Sequence, residues 1–405
     1  MKKSDLYFVF IGLLTPVTIF LRAVAKDDVL IKGQNLSIAL TWALLALAAV
    51  FWLMWGGSIR PIREMSFFAL IVLTLWSYTA LRESAGGSTF NYLAFTLPVV
   101  ILLLSLKPPS VRQVRLLADV FFVALAAVAL IGTVMSFVSY PLSDQYAPTR
   151  FMIGSFAPLG EYRWVSVFET TTQAGAVGSY LALYGFWRGG WFFRLMSVGG
   201  ILIVLSASRG STAALLAGLV VMMWLLPKIG KIKLTTAVKV AVTSIGSLAL
   251  LILILTKDRT LNSRTDIWLN YFDLSTESPF LGLGTNGLQM AVQNDPTIPT
   301  GIPMMHAHNI FLDSLARIGI VGLVLVLILF IFVLLQAFRT GGTGIWISAA
   351  LAVAVLVNQL SDVHIDWVYL DYDYFVLIVA FLFTLHVERV FPQSRAKLLT
   401  GQHHV

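Results

Sequence analysis

The chain has no cysteine, and charged residues make up only 12% of its 405 positions. The first absence removes disulfide frameworks, thiolate nucleophiles and cysteine metal sites, and it suits a face exposed to oxidant. The second sets the chain at about half the roughly 25% of charge usual in a soluble domain, which excludes an ordinary soluble fold. Histidine is scarce as well, at six residues. No nucleotide-cradling loop is present. The stretch Gly282-Leu283-Gly284-Thr285-Asn286-Gly287 lacks the Lys-Ser/Thr of a phosphate loop and reads as a turn. Nor does the chain show an internal repeat. Ionisable residues inside the apolar runs are few, chiefly Asp119 and Arg317. Transporters and proton pumps usually line their path with more, which weighs against a carrier.

What is there is apolar side chain, 58% of the total. The Leu, Val, Ile and Phe runs repeatedly approach the roughly 17–25 residues that cross a bilayer as helix. Lipid offers backbone groups no partner, so such runs must be helical. Twelve spans are predicted, over residues 7–24, 38–55, 66–82, 91–105, 114–138, 173–187, 192–207, 212–226, 235–256, 309–336, 344–361 and 371–388. The expected fold class is therefore an all-α polytopic membrane protein, one integral membrane domain over residues 1–405. Two connections are long, residues 139–172 and the main loop 257–308.

Basic residues orient the bundle. With the N-terminus in the cytoplasm, most of the 28 Lys and Arg fall at that side, among them Lys2, Lys3, Arg60, Lys107, Arg115, Arg188 and Arg339. The net charge of +8 then reflects membrane anchoring and no nucleic-acid partner. Both termini are cytoplasmic on this reading, and both long loops face outward. Lys2-Lys3 ahead of an apolar run and Ala23-Val24-Ala25 looks like a signal peptide, but the run is longer than a signal core, so an uncleaved first span is expected.

The polar chemistry lies in the outward stretches. In Leu205–Leu216, Ser211 or Thr212 is placed to cap the eighth span, and Arg209 stands just before it. A cation at a helix N-terminus is electrostatically awkward unless an anion joins it. Within the main loop, Ser263 and Asp266 have capping-box spacing, and Ile267, Trp268, Tyr271, Phe272 and Leu274 form an apolar face at helical spacing. A short amphipathic helix is predicted there, with Arg264 in its first turn. Arg163, ahead of Thr170-Thr171-Thr172-Gln173, adds a third outward cation. His306 and His308 close the main loop, and Asn309 opens a long span in which Asn309, Asp313 and Arg317 recur every four residues on one face. Asp313 and Arg317 read as a structural pair. An alternative makes the two histidines metal ligands together with Asp362, His364, Asp366, Asp371 and Asp373, although that spacing matches no tight metal motif.

Taken in order, Ser206-Ala207-Ser208-Arg209-Gly210, an Arg-x-x-x-Trp at Arg264 and Trp268, Pro279-Phe280-Leu281-Gly282-Leu283-Gly284, His308-Asn309 and Gly319-Ile320-Val321-Gly322 form a pattern. It resembles the O-antigen ligase and polymerase superfamily of bacterial inner-membrane glycosyltransferases, over residues from about 160 to 370. Within that superfamily the twelve spans and the late main loop look most like the ligase group. The resemblance implies a GT-C-like membrane enzyme with a periplasmic site and no metal or other cofactor. Its donor would be O-antigen glycan on undecaprenyl diphosphate, and its acceptor a sugar hydroxyl of the lipid A–core oligosaccharide, with inversion. By the same resemblance His308 is the base and Arg209 and Arg264 hold the diphosphate. Arg163 matches a looser motif from which Phe168-Glu169-Thr170-Thr171 departs, and Asp362 is the nearest match to an expected acid. His306, Asn309 and Asp362 then support the base or position the acceptor. Alternatives are an O-antigen polymerase, a protein O-oligosaccharyltransferase and, outside enzymes, a transporter of polyisoprenoid-linked glycolipid.

The chemistry of the residues agrees with those roles. A sugar hydroxyl is a poor nucleophile, so a base must take its proton as the bond forms, an effect worth about 10²–10⁴-fold. A diphosphate leaves as a stable anion, and guanidinium groups with helix N-termini can stabilise it without a metal.

Overall fold

The computed structural model describes residues 3–24, 30–54, 62–85, 92–106, 109–139, 168, 170–206, 208–225, 228–229, 232–233, 264–294, 307–339, 345–361, 367–368 and 370–385. Thirteen α-helices run through them: α1 Lys3–Val24, α2 Leu30–Met54, α3 Arg63–Ala85, α4 Thr96–Leu106, α5 Val111–Ser139, α6 Thr171–Arg188, α7 Phe193–Ser206, α8 Arg209–Leu225, α9 Arg264–Ser275, α10 Gly284–Asn294, α11 Ile310–Arg339, α12 Ile345–Ser361 and α13 Tyr372–Thr384. A helix overlies every predicted span except 235–256, which lies outside the described residues. Among the described residues, segments of α3, α5 and α11 are long and apolar enough to cross a membrane. Among the described residues, the strands are two short ones, β1 Lys228–Ile229 paired antiparallel with β2 Ile232–Lys233.

Helix α13 is buried along its whole length. A helix apolar all round belongs in the interior, and α13 packs against α5, α11 and α12. Phe375 stacks on Phe121 of α5, and Phe381 stacks on Phe68 of α3. The periphery is the reverse. On α11, Val324, Ile328, Ile331, Leu335 and Phe338 form an exposed stripe at helical spacing. An apolar stripe of that length is at home against lipid and not against water.

The two ends of the bundle differ in chemistry. One end gathers the N-termini of α6, α8, α11 and α13, the C-termini of α3 and α12, and the loop helices α9 and α10. The other holds the N-termini of α1 and α5 with the C-terminus of α6. There Asp119 bonds Tyr184 at 2.6 Å and both nitrogens of the Arg188 fork at 3.0 and 3.2 Å. That pairing makes one of the few ionisable groups of the apolar runs tolerable.

Candidate active site

His308 has φ 51°, the one positive φ among described residues other than glycine. Its two neighbours impose that conformation. Ala307 is fully buried, its carbonyl accepts from Trp268 Nε1 at 2.9 Å, and its amide reaches Asp313 Oδ1 at 3.5 Å. On the other side Asn309 caps α11, its Oδ1 accepting from the amides of Phe311 at 3.0 Å and Leu312 at 3.4 Å. Capping uses the free amides of a helix start. With both flanks pinned, His308 must make the turn between them, half-buried at the N-terminus of α11. Holding a non-glycine residue there costs about 1–3 kcal/mol, and such strain clusters at functional sites.

The predicted amphipathic helix is α9, with Arg264 in its first turn as expected. Ile267, Tyr271 and Leu274 are buried with Leu288, Ala307 and Ala316 in a small apolar cluster separate from the main core. Phe272, expected on that face, is 55% exposed instead. The apolar stripe is narrower than the composition suggested and seats only one residue per turn. Burial raises the Tyr271 phenol well above its ordinary pKa, Asp313 adds to the effect and Arg317 opposes it, so it remains a proton donor. Helix α10 was not anticipated. Its Gly-Thr-Asn-Gly start argues against helix, yet Leu288 and Ala291 pack against the α9 cluster and tertiary burial overrides propensity.

Arg317 joins this outer layer to the bundle. The expected pair with Asp313 exists at 3.4 Å, but Arg317 also reaches Glu83 of α3 at 3.2 Å and Thr285 of α10 at 2.8 Å. Glu83, itself buried, accepts from both the amide and the hydroxyl of Thr285, at 2.9 and 2.7 Å. Next to it Arg82 donates to the carbonyl of Gly282. Sequence reading missed Glu83. Its signal was an adjacent Arg-Glu just beyond an apolar run, read there as the end of the third span.

Backbone contacts complete the junction. Gly319 (φ 66°) breaks α11, and the groups this frees are met from outside: Ile320 N–H donates to Pro279 O at 2.8 Å, Leu283 N–H to Ala316 O at 2.8 Å, and Tyr78 Oη to Ile318 O at 3.0 Å. A broken helix at membrane depth is tolerated where protein re-satisfies its backbone in this way. Gly282 (φ 74°) and Gly319 cross so closely that a Cβ on Gly319 would lie 2.3 Å from Phe280 O.

Arg209 is the first residue of α8, one turn earlier than expected. The cap is Ser208, not Ser211 or Thr212: its hydroxyl accepts from Ser211 N–H at 3.3 Å, and its carbonyl accepts from Thr212 N–H at 3.1 Å. Because the helix begins at Arg209, Ser208 is the residue placed to accept from its first free amides. Ser211 Oγ donates to Thr172 O at 3.3 Å, bringing the polar run 170–173 against the start of α8. Thr170 caps α6 by accepting from Gln173 N–H at 3.2 Å. Two helix N-termini and an exposed guanidinium thus stand together, which favours an anion. Helix α12 packs against both α8 and α11.

Arg264 heads α9, with only its backbone described. Arg163, His306 and Asp362 lie outside the described residues, as do Ser263, His364 and Asp366. Asp371 caps α13, accepting from Tyr374 N–H at 2.7 Å, and the buried Asp373 accepts from the Tyr180 hydroxyl, so both have structural partners. Residues 193–327 match a family model described as O-antigen ligase. None of the curated proteins compared with the chain matches it. The matched stretch holds Arg209, Arg264, His306, His308 and Asn309, together with the glycine crossing, while Glu83, Arg163 and Asp362 fall outside it.

Proposed function

From a chain that carries an O-antigen ligase family domain over residues 193–327, we propose a membrane glycosyltransferase that moves O-antigen glycan from undecaprenyl diphosphate to a sugar hydroxyl of lipid A–core. The observation that carries this reading is His308, held in a left-handed turn at the N-terminus of α11 by Trp268, Ala307 and Asn309. In one displacement the imidazole takes the acceptor's proton, the acceptor oxygen bonds to the anomeric carbon, and the bond to the carrier's diphosphate breaks. The anomeric centre inverts, and the diphosphate leaves on its lipid. Arg209 at the start of α8 and Arg264 at the start of α9 stabilise the charge that develops on it. Arg163 joins them, His306 and Asp362 position the acceptor, and no metal takes part. The site opens on the periplasmic side of the inner membrane. Purified protein supplied with carrier-linked glycan and lipid A–core should yield glycosylated lipid A–core. Elongated carrier-linked glycan would make it a polymerase, and movement of carrier without bond formation a transporter.

Two expectations follow at this site. Arg209→Ala and Arg264→Ala should weaken donor binding, and the lysine variants should recover only part of it, because an ammonium lacks the planar two-pronged donor set. A charge-assisted hydrogen bond contributes about 1.5–3 kcal/mol, so each loss should reach roughly tenfold or more. Unchanged donor affinity in both alanine variants would remove the arginines from the diphosphate.

Activity should also survive exhaustive EDTA treatment, since guanidinium groups and helix N-termini carry the leaving charge. Transfer measured in chelator and again after adding magnesium, manganese or zinc decides the matter. Loss in chelator with recovery on one ion would return the histidines to the role of ligands.

A further inference from the structure

At the end of the bundle opposite His308, α1, α5 and α6 leave a cleft of about 530 Å³ lined by Asp5, Val111, Arg112, Arg115, Leu116, Asp119 and Arg188. Its charges are partly spoken for. Arg112 pairs with the buried Asp5 at 3.0 Å, and Arg188 pairs with Asp119 at 3.0 Å. Arg115 is exposed, and none of the described ion pairs includes it. Among the described lining residues, three guanidinium groups against two carboxylates leave one positive charge.

We propose that this cleft binds the phosphodiester headgroup of an anionic phospholipid, with Arg115 as the principal contact. The size falls within the roughly 300–1,000 Å³ usual for small-molecule sites. The unit excess of charge suits a phosphodiester, which carries a single negative charge. A dianion would need a second cation, and among the described lining residues Arg112 and Arg188 are already paired with Asp5 and Asp119. The position suits a lipid and not a soluble anion, because the cleft lies at helix ends, where headgroups border the protein, and Val111 and Leu116 offer apolar walls where acyl chains begin. Basic pockets between membrane helices recognise headgroups on these terms. Arginine supplies two parallel donors to a phosphate, which lysine cannot. The site is separate from the proposed transfer chemistry, so its test needs no glycan.

The test uses the full chain in neutral detergent, titrated with phosphatidylglycerol, phosphatidylcholine or inorganic phosphate, and read by native mass spectrometry and thermal melting. Phosphatidylglycerol should bind saturably and raise the melting temperature, with phosphatidylcholine and phosphate giving little of either. Arg115→Ala should weaken phosphatidylglycerol by about fivefold, and Arg115→Lys should weaken it less. Leu116→Trp, which narrows the cleft without altering its charge, should weaken it too. Equal phosphatidylglycerol binding by wild type, Arg115→Ala and Leu116→Trp would overturn the proposal. Phosphatidylcholine binding as tightly would do the same, and so would inorganic phosphate displacing the lipid at comparable concentration.

Discussion

Replacing His308 with alanine should lower transfer by about 10²–10⁴-fold, the usual worth of a general base, while His306→Ala keeps a substantial fraction. Only His308 stands between the Ala307 anchor and the Asn309 cap. Its φ of 51° complicates the reading, because histidine enters the left-handed region more readily than alanine, so the alanine variant also strains the turn. Asparagine resolves the ambiguity. It tolerates that conformation better than other non-glycine residues but takes up no proton at neutral pH. His308→Asn should therefore be as inactive as His308→Ala while melting like the wild type. Restored transfer in His308→Asn would mean that the turn matters and the imidazole does not. Complete and equal loss in His306→Ala and His308→Ala, with both folded, would favour a site built from two histidines.

Local features of this chain were legible in the sequence, and features made by distant segments were not. Long apolar runs announced the helices because lipid admits no other backbone arrangement. Apolar spacing in 264–275 announced α9, since one face of a short helix is a local property. The Arg317–Asp313 pair was also readable, lying four residues apart on one helix. Glu83 was not. It meets Arg317 across 234 residues of chain, and neither residue carries a local sign of the other. Helix α10 failed for the opposite reason: its local signal, two glycines and an asparagine, argues for a turn, and only the α9 cluster reverses it. The candidate site divides in the same way. His308 and Asn309 were visible as a string, but the left-handed turn that holds the imidazole comes from Trp268, which lies 39 residues from the Ala307 it binds.

The glycine strings show how far a motif can be read before its geometry is known. Pro279–Gly284 and Gly319–Gly322 were recognisable as patterns, and their physical reason is the crossing of Gly282 over Gly319. Gly319→Ala should therefore be among the most destabilising single-methyl substitutions in the molecule. Two costs add. The left-handed conformation costs about 1–3 kcal/mol for a residue with a Cβ. The methyl would also lie 2.3 Å from Phe280 O and 2.4 Å from Phe280 C, and relieving such overpacking costs about 1–3 kcal/mol more. Two other glycines separate these contributions. At Gly189 (φ 64°) an added Cβ meets nothing within 4 Å, so Gly189→Ala should show the conformational cost alone. Gly200 lies inside α7 with equally open space and no positive φ, so Gly200→Ala should be neutral or stabilising by up to about 1 kcal/mol. Melting temperatures should fall in the order Gly200→Ala, Gly189→Ala, Gly319→Ala. The third variant should also lose transfer, because the backbone bonds from 279–283 to α11 hold α10 and Thr285 beside Arg317. Limited proteolysis should then cut within 264–294 in Gly319→Ala and spare the other two. A Gly319→Ala protein that melts with Gly189→Ala and resists cleavage would show that the close crossing adds nothing to the strain of the turn.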